Sequence, residues 1–191
     1  MRKIRVVLIS AVVSVGVILA AVITVSLFAA RAMTRFESIP LESDPSRVGL
    51  EFEDITFHSR DGLLLSGWWI DAGNNSRVIV MVHGSGANRV RPQKIMLGIA
   101  KELIDHRYNV LMFDLRGHGE SEAQHVSGGL YEKRDLLGAV DFAKSRGMNT
   151  IGVLGFSLGA ATSLMAVPES EDIGAVVSDS GYADLSTRRW L

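Results

Sequence analysis

The chain contains no cysteine, which excludes disulfides, a redox dithiol and a thiolate metal site. It has no surplus of charge either. Its 20 Lys and Arg stand against 21 Asp and Glu, with no basic run, so a nucleic-acid surface is not expected. No His-x-x-x-His and no Glu/His cluster falls at ligand spacing, so neither a metal nor another cofactor is expected. Internal repeats and low-complexity tracts are also missing.

The most extended absence is local. Between Val6 and Ala30 there are 25 residues without one charge, and only Ser10, Ser14, Thr24 and Ser26 are polar. As a helix this run is about 37 Å long, enough to cross a hydrocarbon core of about 30 Å. Ala30-Arg31-Ala32 resembles a signal-peptidase site, but a signal core runs to about 7–15 apolar residues, and this run is longer. The expectation is an uncleaved transmembrane helix over 6–30, after a basic N-terminus at 1–5. Arg2, Lys3 and Arg5 outweigh Arg31 and Arg35, which keeps the N-terminus cytoplasmic and puts the rest of the chain outside the cell membrane.

Residues 31–49, with Pro40, Pro45 and several Ser and Glu, read as a linker, and a globular domain is expected over 50–191. Phe52, Ile55 and Phe57 alternate with polar residues. Asp61-Gly62 turns the chain and Leu63 to Ile70 returns it, a hairpin in which Trp68 and Trp69 are packing residues. Val78–Val82, Asn109–Phe113 and Ile173–Ser178 are largely apolar runs of the kind buried on both faces of a parallel sheet. Between them, Leu97 to Ile104 and Tyr131 to Ser145 repeat at helical spacing. Strands alternating with helices predict a right-handed, doubly wound parallel sheet preceded by an antiparallel hairpin.

The stretch from Ile151 to Ala161 runs apolar residues into Gly155-Phe156-Ser157-Leu158-Gly159 and then into a helix-prone segment. A strand, a very tight turn and a helix lift a serine Oγ above the sheet rim. Gly155 and Gly159 leave room where strand and helix pass closely, and the Leu158 N–H sits at a helix N-terminus, where an oxyanion forms. A plainer reading, with Ser157 only capping the helix, stays open on this stretch alone. Two further motifs end predicted strands: His83-Gly84, and Asp114-Leu115-Arg116-Gly117-His118-Gly119-Glu120-Ser121. In this order the three resemble the α/β-hydrolase superfamily, in particular bacterial membrane-anchored serine hydrolases of the serine-aminopeptidase-like and monoglyceride-lipase-like group.

The resemblance implies Ser157 as nucleophile and an oxyanion hole from the N–H groups of Ser85 and Leu158. His83, Gly84, Gly155 and Gly159 would support the motif loops. The reaction would be hydrolysis of an ester, amide or related acyl bond in a small acyl substrate. One departure is large. The family places its acid and its histidine after the nucleophile, yet His58, His83, His106, His118 and His125 all precede Ser157. Asp179 is the candidate acid within reach, against a plain role as a loop residue capping the next helix. Only 32 residues follow Gly159, so the expectation is an α/β-hydrolase fold incomplete at its C-terminus, the N-terminal portion of an enzyme and inactive as it stands. The alternative is a non-catalytic membrane-anchored binding module or truncated pseudoenzyme. An incomplete sheet also carries an open edge at Ile173–Ser178, a route to self-association.

Overall fold

The computed structural model describes residues 2–34, 38–122 and 125–182. Residues 183–191, which end the expected hydrolase domain, lie outside the described residues. The chain divides into two units, Met1–Arg35 and Phe36–Leu191.

The first unit is one helix, α1 (Arg2–Thr34). Its segment Ile9–Arg31 has a mean hydropathy of 2.6 and no part buried against protein. At 1.5 Å per residue these 23 residues reach about 35 Å, enough for a bilayer span. The Thr24 hydroxyl donates to the Ala20 carbonyl at 2.8 Å, so this polar group needs no partner outside the helix. A membrane span and a signal sequence both meet these criteria.

The second unit is built on a six-stranded sheet of β1 (Glu53–His58), β2 (Leu64–Ile70), β3 (Arg77–Val82), β4 (Asn109–Phe113), β5 (Thr150–Phe156) and β6 (Ile173–Asp179). The spatial order is β1-β2-β4-β3-β5-β6. β2 runs antiparallel to both β1 and β4, while β4, β3, β5 and β6 are parallel. The hairpin closes at Asp61-Gly62, where the Ser59 N–H donates to the Leu63 carbonyl at 2.9 Å. The expected α/β-hydrolase arrangement, an antiparallel hairpin leading into a doubly wound parallel sheet, is the one observed.

Helices cover both faces, as the continuously apolar strands require. α2 (Gln93–Asp105) buries Met96, Leu97 and Ala100 against Trp68, Ile70, Met81, Val110 and Met112. On the other face α3 (Glu132–Ser145) and α4 (Leu158–Ala166) enclose Phe57, Leu65, Val80, Val82, Leu111, Phe113 and Val153. Each such side chain contributes roughly 1.5–3 kcal/mol when fully buried. Trp68 and Trp69 are both core residues, and the Trp68 indole N–H donates to Asp54 at 2.9 Å. β6 stands at the edge of the sheet with Val177 61% exposed, and its outer side has no strand beside it among the described residues.

Residues 38–50, which include most of the expected linker, are fastened to this unit. Pro45 and Leu50 are buried. The buried Asn88 amide donates to the Ile39 and Pro40 carbonyls at 3.1 and 3.2 Å, Arg91 pairs with Glu42 at 3.1 Å, and the Ser38 hydroxyl donates to the Gly119 carbonyl.

Register decides where chemistry can happen. Val82 stands level with Phe113 on one side and Gly155 on the other, and Phe156 faces Asp179. The loops that follow β3, β4, β5 and β6 therefore leave the sheet at one rim.

α3 approaches the hairpin closely. A Cβ on Gly138 would lie 2.8 Å from the Ser59 Cα and closer still to the His58 carbonyl oxygen, whereas one on Gly98 of α2 meets nothing within 4 Å. Gly138→Ala is accordingly expected to lose about 1–3 kcal/mol of stability. Gly98→Ala should be neutral or gain up to about 1 kcal/mol, from helix propensity alone. Urea unfolding followed by tryptophan fluorescence checks the pair, and equal losses at both positions would contradict this packing.

Candidate active site

β5 delivers the chain into a turn that only one residue makes. Ser157 has φ 49° and ψ −107°, a conformation costing on the order of 1–3 kcal/mol for a residue with a Cβ. Neighbouring backbone holds it there: the Ser157 N–H donates to the Asp179 carbonyl at 2.8 Å, and its own carbonyl accepts from the Ala161 N–H at 3.1 Å. The two flanking glycines are required by contact. A Cβ on Gly155 would lie 2.7 Å from the Ala160 nitrogen, and one on Gly159 would lie 2.7 Å from the His83 carbonyl oxygen. Leu158 is the first residue of α4, so its N–H belongs to the helix terminus that carries unpaired donors and partial positive charge.

The loop after β3 passes over this turn. A Cβ on Gly84 would sit 3.4 Å from both the Phe156 carbonyl oxygen and the Ser157 Cβ, so the backbone there lies against the serine. Ser85 is exposed at the crest of the loop and Gly86 follows with φ 65°. Ser157, Leu158, Gly84 and Ser85 are thus gathered on one rim. Asp179 reaches the same rim through β6, but its exposed carboxylate accepts from the Ser180 hydroxyl at 2.7 Å.

None of the five histidines is arranged as a base for Ser157. His83 is fully buried; its Nε2 accepts from the Leu115 N–H at 3.0 Å, so Nδ1 carries the proton and donates to the Gly84 carbonyl at 2.7 Å. His118 Nε2 accepts from the Gly86 N–H at 3.2 Å while Nδ1 donates to the Arg116 carbonyl at 2.9 Å. The two rings meet edge to face, 5.0 Å apart. Burial, with the His118 ring and Arg89 adding to it, pushes the His83 imidazole down to about 3. Burial also lowers His118, against the opposing pull of the Arg116 carbonyl, Asp114 and Glu132. Both are neutral at pH 7 with their lone pairs in use. His58 lies on β1, four strands from β5 and so roughly 19 Å away. His106 follows α2 at the opposite rim, and His125 is exposed before α3.

A charged frame holds the loops of this rim, and the sequence did not signal its central member. Arg89 is 2% exposed; its N–H and Nη1 donate to Asp114 at 2.7 and 2.5 Å, its Nη2 reaches Glu120 at 2.6 Å, and its Cζ lies 4.2 Å over the Trp68 ring. Asp114 also accepts from the Glu120 N–H at 2.9 Å. Burial pushes the Asp114 carboxyl up, and Arg89 and the two backbone N–H groups oppose it. Arg116 points the other way, to Asp135 at 2.7 Å and Asp61 at 2.7 Å, tying the loop to α3 and to the hairpin turn. The Asp-x-Arg spacing of this motif carries both pairs, but the partners Arg89, Asp135 and Asp61, 25, 19 and 55 residues away, are invisible locally. An apolar groove of about 470 Å3 lies against α2 and a polar cavity of about 410 Å3 lies beside Arg89, Glu120 and Trp68; Ser157 lines neither.

Comparison with known proteins agrees with this geometry. The family model described as the alpha/beta hydrolase fold matches residues 77–190. The uncharacterized protein YfhR of Salmonella typhi is 28% identical over 158 residues, covering 72% of this chain and 51% of its own length. YqkD of Bacillus subtilis, also uncharacterized, is 33% identical over 108 residues, covering 54% of this chain and 33% of its own. Among solved structures, the esterase Pf2001 of Pyrococcus furiosus superposes with a TM-score of 0.72 at 31% identity, covering 76% of this chain and 58% of that one. The chain thus spans about half the length of the YfhR relative and a third of YqkD. A family model matched over more than half the sequence, with a solved esterase that superposes at a TM-score of 0.72, leads to one assignment: this chain belongs to the alpha/beta hydrolase fold family.

Proposed function

We propose that the chain is the nucleophile-bearing portion of a membrane-anchored serine hydrolase that cleaves an ester, amide or related acyl bond. The observation that carries this reading is the strained Ser157 between β5 and α4 with the Gly84–Gly86 loop laid against it. Serine Oγ attacks the acyl carbon, and the N–H groups of Leu158 and Ser85 receive the charge that develops on the carbonyl oxygen. Preorganised donors of this kind are worth about 2.7–4 kcal/mol each when removed.

A serine hydroxyl is a weak nucleophile until a base takes its proton. His83 and His118 have both ring nitrogens engaged, so the base is drawn from sequence outside these 191 residues. The acid comes from there as well, or from Asp179. Relatives about twice as long leave room for both. The likeness to the Pf2001 esterase favours ester chemistry within the broader serine-aminopeptidase-like and monoglyceride-lipase-like group. The same two engaged histidines favour one second reading, a non-catalytic anchored module that uses the fold as a binding surface.

α1 serves as the anchor, with the N-terminus cytoplasmic and the hydrolase domain beyond the membrane. The protein should accordingly stay in the membrane pellet through carbonate washing, and deleting residues 1–35 should release it. Recovery of a shortened form beginning near Arg31 or Met33 would identify α1 as a cleaved signal.

For the chemistry, the 191-residue chain should hydrolyse short p-nitrophenyl esters barely above background. Loss of a triad base costs on the order of 10⁶ in rate, leaving about 10³–10⁴ over water. A longer chain from the same gene, carrying an acid and a histidine after later strands, should hydrolyse them well and lose the activity on Ser157→Ala. Activity that survives Ser157→Ala would sink the hydrolase reading. Equal labelling of both forms by a fluorophosphonate would show that a histidine already present activates Ser157.

A further inference from the structure

We infer that His118 is a positioning residue of the oxyanion hole: with His83 it forms a reciprocal clamp that fixes the peptide carrying the Ser85 N–H. The inference rests on the serine-hydrolase reading for its catalytic consequence, but its structural content stands on the hydrogen bonds alone.

Each ring grips the loop that the other one comes from. His83, at the end of β3, accepts from the Leu115 N–H of the loop after β4, and His118, in that second loop, accepts from the Gly86 N–H of the first. Because a backbone N–H can only donate, Nε2 of each ring must be the unprotonated nitrogen, and each Nδ1 must carry the proton. The His83 Nδ1–H is thereby committed to the Gly84 carbonyl at 2.7 Å.

That carbonyl belongs to the same peptide unit as the Ser85 N–H. In a trans peptide the C=O and N–H point in opposite directions, so a carbonyl drawn back onto His83 turns the Ser85 N–H away from the buried ring. An accepting carbonyl also makes its own amide a better donor. The next peptide is held by its other end, through Gly86 N–H to His118 Nε2 at 3.2 Å. Ser85 is exposed and the glycines on either side have no side chain to pack, so without the second hold the loop has one fixed peptide and a free hinge at Gly86, whose φ is 65°. Between Gly84 and Gly86 the two histidines therefore fix both peptides that meet at Ser85. The His118 ring in turn is held by its Nδ1 donation to Arg116, whose guanidinium is anchored on Asp135 and Asp61. The orientation of the oxyanion donor is thus set from α3 and the hairpin turn, through two neutral imidazoles.

Two substitutions separate positioning from packing. His118→Phe keeps a ring edge against His83 and removes the acceptor; His118→Gln places a carbonyl oxygen near the position of Nε2. In the full chain in detergent micelles, amide hydrogen exchange by NMR should show the Gly86 N–H exchanging at least about tenfold faster in His118→Phe, the loss of one net hydrogen bond. Exchange in β3 and α3 should be unchanged, and His118→Gln should recover most of the protection. In the longer form that hydrolyses p-nitrophenyl ester, kcat should fall on the order of 10- to 100-fold in His118→Phe with KM held within about twofold. Should His118→Phe fail to fold, ¹⁵N imidazole spectra of the wild-type chain at pH 7 decide the matter, with Nδ1 protonated and Nε2 unprotonated on both rings. Wild-type Gly86 protection in His118→Phe, no recovery in His118→Gln, or the opposite tautomer on either ring would overturn the clamp. If Ser157→Ala leaves hydrolysis intact, the hydrolase reading falls, and the exchange and tautomer results still decide the clamp by themselves.

Discussion

The close approach of the first turn of α4 to the end of β3 is the constraint on which the rim depends. Gly159 lies so near the Val82 and His83 carbonyl groups that no side chain fits between them, and Gly155 lies equally near Gly159 and Ala160. Any Cβ at either position pushes helix and strands apart by more than a well-packed core allows. With helix and strands that close, the residue joining β5 to α4 has no room for ordinary backbone angles, and Ser157 takes positive φ. The strain is small against the burial of Val80, Val82 and Val153 beneath it, each a side chain worth roughly 1.5–3 kcal/mol. The core wins, and the serine stays raised.

A second tier of interactions is electrostatic, and its value lies in geometry more than in stability. Arg89 and Asp114 are both almost fully buried, and removing two charges from water costs several kcal/mol per ion. Their attraction and their shared hydrogen bonds offset this, so the pair as a whole adds little. Removing one partner is another matter, since it strands a buried charge at a cost of about 3–5 kcal/mol. The pair therefore acts as a lock: the loop after β3 has one placement in which Asp114 accepts the Arg89 N–H and guanidinium together. Arg116 does the same for the loop after β4, through Asp135 and Asp61. The histidine clamp sits between these two locks.

The same loops receive the segment that comes after the N-terminal helix unit. Asn88, next to Arg89, holds the Ile39 and Pro40 carbonyls, and the Gly119 carbonyl receives the Ser38 hydroxyl. The stretch 38–42 is therefore tied to the two loops that frame the serine and does not hang from the domain as a free tether.

Sequence alone determined what depends on neighbours along the chain. The uncharged run to Ala30, the period of two around Asp61-Gly62, the apolar strands and the Gly155-to-Gly159 turn are local patterns, and each became the element its period and turn chemistry dictate. The order of the motifs was enough to identify the family, because each motif ends a strand and parallel strands end at one rim. Tertiary structure decided what depends on residues far apart in the chain. Arg89 carries no local mark, yet 25 residues on it finds Asp114 and becomes the hub of the rim. His118 read only as a member of its own motif; folding brought its Nε2 within 3.2 Å of the Gly86 N–H, 32 residues away in the chain. Residues 38–49 have a linker's composition, but the Ile39 and Pro40 carbonyl groups are held by Asn88, 49 and 48 residues away. Hydrogen-bond direction, tautomer and the pairing of buried charge are properties of the partner as much as of the residue, and the partner is chosen by the register of the sheet.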